Sequence, residues 1–123
     1  MPLVNEQTRI AQHGTWIEIY LDRLLANVAE IKRCAGSGKH IMAVVKANAY
    51  GHGLLETAKA LEDHVNYLGV SSVIEALEIQ NTGIDTPVFL FGRLLPSEVT
   101  PAILSGATLC VSSFDEAFAI GHF

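Results

Sequence analysis

The chain has 123 residues, half of them hydrophobic, and a formal net charge of -5, so it can bury a sizeable core. Its Lys and Arg residues are scattered singly and form no basic stripe, which excludes nucleic acid as an expected partner. No apolar run reaches the roughly 18 residues of a membrane span, and the opening MPLVNEQTRIAQHGT has neither the basic nor the apolar region of a secretory signal. The expectation is therefore a cytoplasmic protein without a membrane partner.

Taken in chain order, WIEIYL (16–21) alternates Ile17, Ile19 and Leu21 on one face and predicts a strand with one side buried. Asp22 is placed to cap a helix in which Leu21, Leu24, Leu25, Val28 and Ile31 recur at helical spacing, and Gly36 and Gly38 break the pattern. IMAVV (41–45) is a continuously apolar strand of the kind buried in a parallel sheet. A second helix comes after it, with Leu54, Leu55, Ala58 and Leu61 on one face. NYLGV (66–70) is the next strand, after which Ser72 and Glu75 form a capping box that opens a helix ended by Gly83. PVFLF (87–91) precedes a helix around Ser97 to Leu104, in which Pro101 must lie in the first turn or cause a kink. TLCV (108–111) is a further strand, and Ser113 with Glu116 repeats the capping box. Cys34 and Cys110 stand far apart with no CxxC and no histidines at ligand spacing, so they read as reduced core residues and no metal site is expected.

From Ile41 onward the order is strand then helix four times over, with strands starting at 41, 66, 87 and 108. That is parallel α/β. Two architectures use the unit. A flavodoxin-like doubly wound sheet suits the short chain, whereas a (β/α)8 TIM-type barrel needs eight units and about 250 residues. In either, ligands bind where the carboxyl ends of the strands meet their loops, and Lys46 ends the strand IMAVV.

The loop AVVKANAYGHG (43–53) carries the densest chemistry in the chain. A lysine amine forms a Schiff base with carbonyl compounds, including the aldehyde of pyridoxal phosphate, and burial among apolar strand ends favours its free, nucleophilic form. Tyr50 can present a hydroxyl to an anion, and Gly51 and Gly53 let backbone amides approach a phosphate. On chemistry alone this is a phosphate or carbonyl site, with His52 a hydrogen-bonded structural residue.

The decapeptide VVKANAYGHG (44–53) resembles the pyridoxal-phosphate attachment signature of the bacterial alanine racemase family. Its flanks agree: TWIEIYLDRLLANV (15–28) and YLGVSSVIEALEIQNTGIDTPVFLFG (67–92) are similar to the same family's stretches on either side. The resemblance implies a fold-type III enzyme with an amino-terminal (β/α)8 barrel and a carboxy-terminal β domain. Residues 15–123 would then be the amino-terminal portion of the barrel, with the remaining barrel and the β domain absent, and residues 1–14 a loosely ordered leader. It implies pyridoxal 5'-phosphate as cofactor and interconversion of L- and D-alanine, which supplies peptidoglycan. Lys46 would be the cofactor-bearing lysine and the base on one face of the substrate, and Tyr50 a contact to the cofactor phosphate. The resemblance implies that the opposing tyrosine and two cofactor-facing arginines lie beyond Phe123, and Tyr20 and Tyr67 are no substitutes, since their contexts do not match. The family forms homodimers. The expectation for this chain alone is an inactive, self-associating piece, and the alternative is another fold-type III protein, such as a racemase of different specificity or a cofactor-handling protein.

Overall fold

The computed structural model describes residues 14–122, so the leader read over 1–14 lies almost wholly outside the described residues. Among the described residues five right-handed α-helices and four strands alternate: α1 (Leu21–Ala35), β1 (Met42–Val44), α2 (Leu54–Leu61), β2 (Tyr67–Val70), α3 (Val73–Asn81), β3 (Val88–Leu90), α4 (Val99–Leu104), β4 (Thr108–Leu109) and α5 (Phe114–Gly121). A turn of 3-10 helix, Pro96–Glu98, leads into α4. Pro101 accordingly sits in the first turn of α4, where its missing N–H costs no helix bond.

The strands form one sheet in the order β1-β2-β3-β4, every pair parallel. Ala43 faces Leu68, Gly69 faces Phe89, and Leu90 faces Leu109. This sequential order decides between the two architectures. A doubly wound sheet places its first strand inside and reverses direction there, whereas here each strand is added beside the one before, as in the first half of a (β/α)8 barrel.

Period-two alternation divides the side chains between two faces. Val45, Leu68, Val70 and Leu90 point to the helix side, where they pack with Leu54, Ala58 and Leu61 of α2, Val73, Ala76 and Ile79 of α3, and Val99 and Ala102 of α4. The opposite face holds Met42, Val44, Gly69, Phe89 and Phe91, with the two phenylalanine rings 5.0 Å apart. Gly69 is required there by space alone: a Cβ would stand 2.6 Å from the Phe91 ring and 3.1 Å from the Met42 sulfur.

Three readings of the sequence are corrected. Residues 15–20 form no strand, because no described strand lies beside them to accept a ladder, and Ile17 is exposed. Helix α1 is capped by Tyr20 without a side-chain bond, and Asp22 lies inside the first turn. Cys34 is exposed and Cys110 half-buried, both free, so neither is a core residue. No helix among the described residues is long and apolar enough to cross a membrane.

Candidate active site

Strand β1 delivers the chain to the carboxyl edge of the sheet through Val45, whose N–H still donates to the Gly69 carbonyl at 2.8 Å. Lys46 is the next residue, half-buried. Beyond it the backbone makes a left-handed turn: Ala47, Asn48, Ala49 and Tyr50 have φ of 53°, 56°, 51° and 54°. Each L-residue held so costs about 1–2 kcal/mol, on the order of 4–8 kcal/mol for the four. A backbone this strained persists only where its surroundings over-determine it.

They do so through Asn48. Its carbonyl accepts from Gly51 N–H at 3.0 Å and Gly53 N–H at 3.1 Å, and its side-chain Oδ1 accepts from Leu54 N–H at 2.8 Å. Its own N–H donates to Oε1 of Glu75, 27 residues on, at 3.0 Å. Ala49 is buried and donates to the Val45 carbonyl at 2.8 Å. His52 Nδ1 lies 2.9 Å from the Ala49 carbonyl; a carbonyl can only accept, so Nδ1 is the donor in this bond.

Lys46 and Tyr50 therefore flank one rigid turn. The ion pairs among the described residues are Arg33–Glu30 and Lys59–Glu62, so the Lys46 amine is not held by a carboxylate there. The Tyr50 side chain is exposed. An adjoining groove of about 280 Å3 between α1 and β1 is lined by Leu24, Val28, Val44, Tyr50 and His52 and does not take in Lys46. It is apolar and reads as a packing seam rather than a site.

The side chains of the turn suit pyridoxal phosphate, with a primary amine at a strand end and a phenol on the same turn; the Gly51 and Gly53 amides, read from the sequence as phosphate donors, instead both donate to the Asn48 carbonyl. A Cβ at Gly51 would meet nothing within 4 Å, so the approach there is open.

A second acid works at the far side of the sheet's carboxyl edge. Oε1 of Glu116 accepts from Leu94 N–H at 2.9 Å, and Oε2 from Ser112 N–H and Ser112 Oγ–H, each at 2.7 Å. These bonds, the Leu94 amide first, hold its carboxyl down at about 2.

Sequence reasoning singled out Lys46 and Tyr50, which the structure places on one turn, and the serine caps at Ser72 and Ser113 are present. It missed Asn48 and Glu75. Asn is the residue type after glycine that most readily adopts the left-handed region, and that was the available signal for Asn48; nothing in the sequence tells that Glu75 reaches it.

The family model of the alanine racemase N-terminal domain matches residues 19–122. The chain belongs to this family. It is 38% identical over 112 residues to the alanine racemase of Methanococcus maripaludis, covering 90% of this chain and 30% of that protein. Its fold matches the crystal structure of alanine racemase from Oenococcus oeni with a TM-score of 0.77 at 31% identity, covering 86% of this chain and 31% of that one. A histidine racemase from Leuconostoc mesenteroides matches with a TM-score of 0.73 at 29% identity, over 83% of this chain and 27% of that one. The chain thus spans under a third of the length of these racemases.

Proposed function

We propose that this chain carries the cofactor-bearing part of a pyridoxal-phosphate-dependent alanine racemase. The observation that carries the proposal is Lys46 at the carboxyl end of β1, with an anchored left-handed turn directly after it that ends in Tyr50. Pyridoxal phosphate, when bound, supplies the electron sink that acidifies the α-proton of an amino acid. Lys46 would hold it covalently and take or return the proton on one face, and Tyr50 would hydrogen-bond its phosphate. The alanine racemases that the chain resembles support alanine as substrate; supply of D-alanine for peptidoglycan and pairing of two chains in the working enzyme belong to the proposal.

Inversion needs an acid on the opposite face as well. Tyr67 begins β2 opposite Met42, at the amino edge of the sheet, away from Lys46. The Tyr20 hydroxyl donates to Glu18 at 2.6 Å, which raises its pKa and makes it a poorer acid. Neither supplies the second proton. The edges of β1 and β4 are also unpaired among the described residues, and open parallel edges favour association.

The test is incubation of the chain with pyridoxal phosphate, borohydride reduction and peptide mapping, beside a racemisation assay in a host-racemase-free background. The expected result is an absorption band near the visible edge, label on Lys46, self-association and no turnover of alanine by the chain alone. Absence of label on Lys46 would refute the cofactor assignment. The likeness to a histidine racemase favours one second reading, a racemase of other specificity, which a panel of amino-acid substrates on an active form would reveal.

A further inference from the structure

We propose that Glu75 is a positioning residue for Lys46, acting through Asn48; its functional half rests on the cofactor reading above. Among the described residues, the bond from Asn48 N–H to Glu75 Oε1 is the one hydrogen bond that reaches the left-handed turn from outside the segment 45–54. Every other bond of the turn is local, and local bonds move with the segment. The β1–β2 ladder holds the start of the segment through Val45 N–H and the Gly69 carbonyl, and Glu75 adds the hydrogen bond that ties the turn itself to the next strand-helix unit.

The placement of Glu75 runs against the interest of its own helix. It is the third residue of α3, where a capping-box glutamate bends back to the amide of its own cap residue. Glu98 does this at the turn before α4, accepting from Leu95 N–H at 2.8 Å. Glu75 receives the forward half of its box, its N–H donating to Ser72 Oγ at 3.2 Å, but sends its carboxylate across to Asn48. Its Oε2 is buried with no hydrogen-bond partner among the described residues, an unmade bond that costs stability. A residue chosen only for α3 would be apolar at this place or would close its own cap. What Glu75 gains instead is control of Asn48, whose carbonyl and side chain organise Gly51, Gly53 and Leu54. Without the tether, the residues after Lys46 are free to relax toward right-handed or extended backbone, and the amine at the head of the turn moves with them.

Two variants separate this role from simple support. Glu75→Gln keeps an acceptor oxygen, and Glu75→Met keeps the stem and volume while removing the acceptor. Hydrogen exchange resolved at Asn48 and across Ala76–Ile79 reads the tether and the helix separately, and the rate of pyridoxal-phosphate labelling of Lys46 reads the consequence. In Glu75→Met, Asn48 should exchange about tenfold faster and Lys46 label about tenfold more slowly, as loss of one hydrogen bond to a charged group implies, with the α3 amides unchanged. Glu75→Gln should stay close to the parent chain in both. The inference is overturned if Glu75→Met leaves Asn48 exchange at the parental rate, if Glu75→Gln loses as much as Glu75→Met, or if exchange changes while labelling does not. A parent chain that takes no label at Lys46 overturns the cofactor reading and the functional half with it, and the exchange measurement still decides the tether.

Discussion

The two ends of the sheet's carboxyl edge use one device for opposite purposes. At the β4 side, Glu116 reaches from the start of α5 to Leu94 and Ser112, uses both oxygens, and ties loops whose non-glycine residues all have negative φ. At the β1 side, Glu75 reaches from the start of α3 to Asn48, uses one oxygen, and holds four non-glycine residues in the left-handed region. The first arrangement gains stability. The second spends stability on holding a shape, and it does so directly behind the lysine. Strain retained at one of four otherwise similar strand ends is what distinguishes a site from a scaffold.

The sharpest way to break this contrast is at the lysine. Lys46→Ala, and equally Lys46→Arg, whose guanidinium stays charged, should reduce pyridoxyl incorporation to background in a borohydride-trapping experiment. Label that persists on Lys39 or Lys59 would move the chemistry away from the left-handed turn. A smaller effect is expected one turn later: Tyr50→Phe should weaken pyridoxal-phosphate retention about tenfold, the worth of one hydrogen bond to a charged group, by spectroscopic titration. Unchanged retention would leave Tyr50 as a loop residue only.

The β4 side is tested by acid. The folded-state pKa of Glu116 lies at about 2, below its ordinary 4.5, so its contribution is complete above pH 4.5 and is lost as pH falls toward 2. The thermal midpoint should therefore decline across that window, and Glu116→Gln should flatten the decline while lowering the plateau above it. A variant with an unaltered acid limb would show that the carboxylate is not what ties the two loops.

The smallest effect has the most informative sign. Ala47 is exposed at φ 53°, so Ala47→Gly should stabilise the chain by about 1 kcal/mol through relief of the Cβ strain. Ala58 lies fully buried in right-handed α2, and Ala58→Gly should destabilise by at least about 1 kcal/mol. Denaturant midpoints that move the same way for both would contradict the left-handed turn.

Much of the fold was legible because strands and caps are local signals. The runs at 41–45, 66–70, 87–91 and 108–111 each contain the observed strand, and Ser72 and Ser113 accept from Glu75 and Glu116 N–H as the spacing implied. WIEIYL failed for a non-local reason: alternation states which face a strand would bury, but a strand exists only where a neighbour offers its backbone. The left-handed turn was hidden because Ala47, Asn48, Ala49 and Tyr50 include no glycine, the residue that ordinarily announces positive φ. The outward reach of Glu75 and Glu116 was hidden too, since a capping box read from sequence fixes where the glutamate stands and not which amide it chooses.

The strict β1-β2-β3-β4 order has a consequence for synthesis. Among the described residues, β2, β3 and β4 each find a hydrogen-bonding partner in the unit made just before them. Contacts stay short in sequence, which shortens the search during folding, and successive units can dock while the chain is still growing. The lysine turn is made with the first of these strands, but Asn48 meets Glu75 only when the second unit is in place. The hydrogen-bonded geometry of the turn is thus completed one unit after its own residues have been translated.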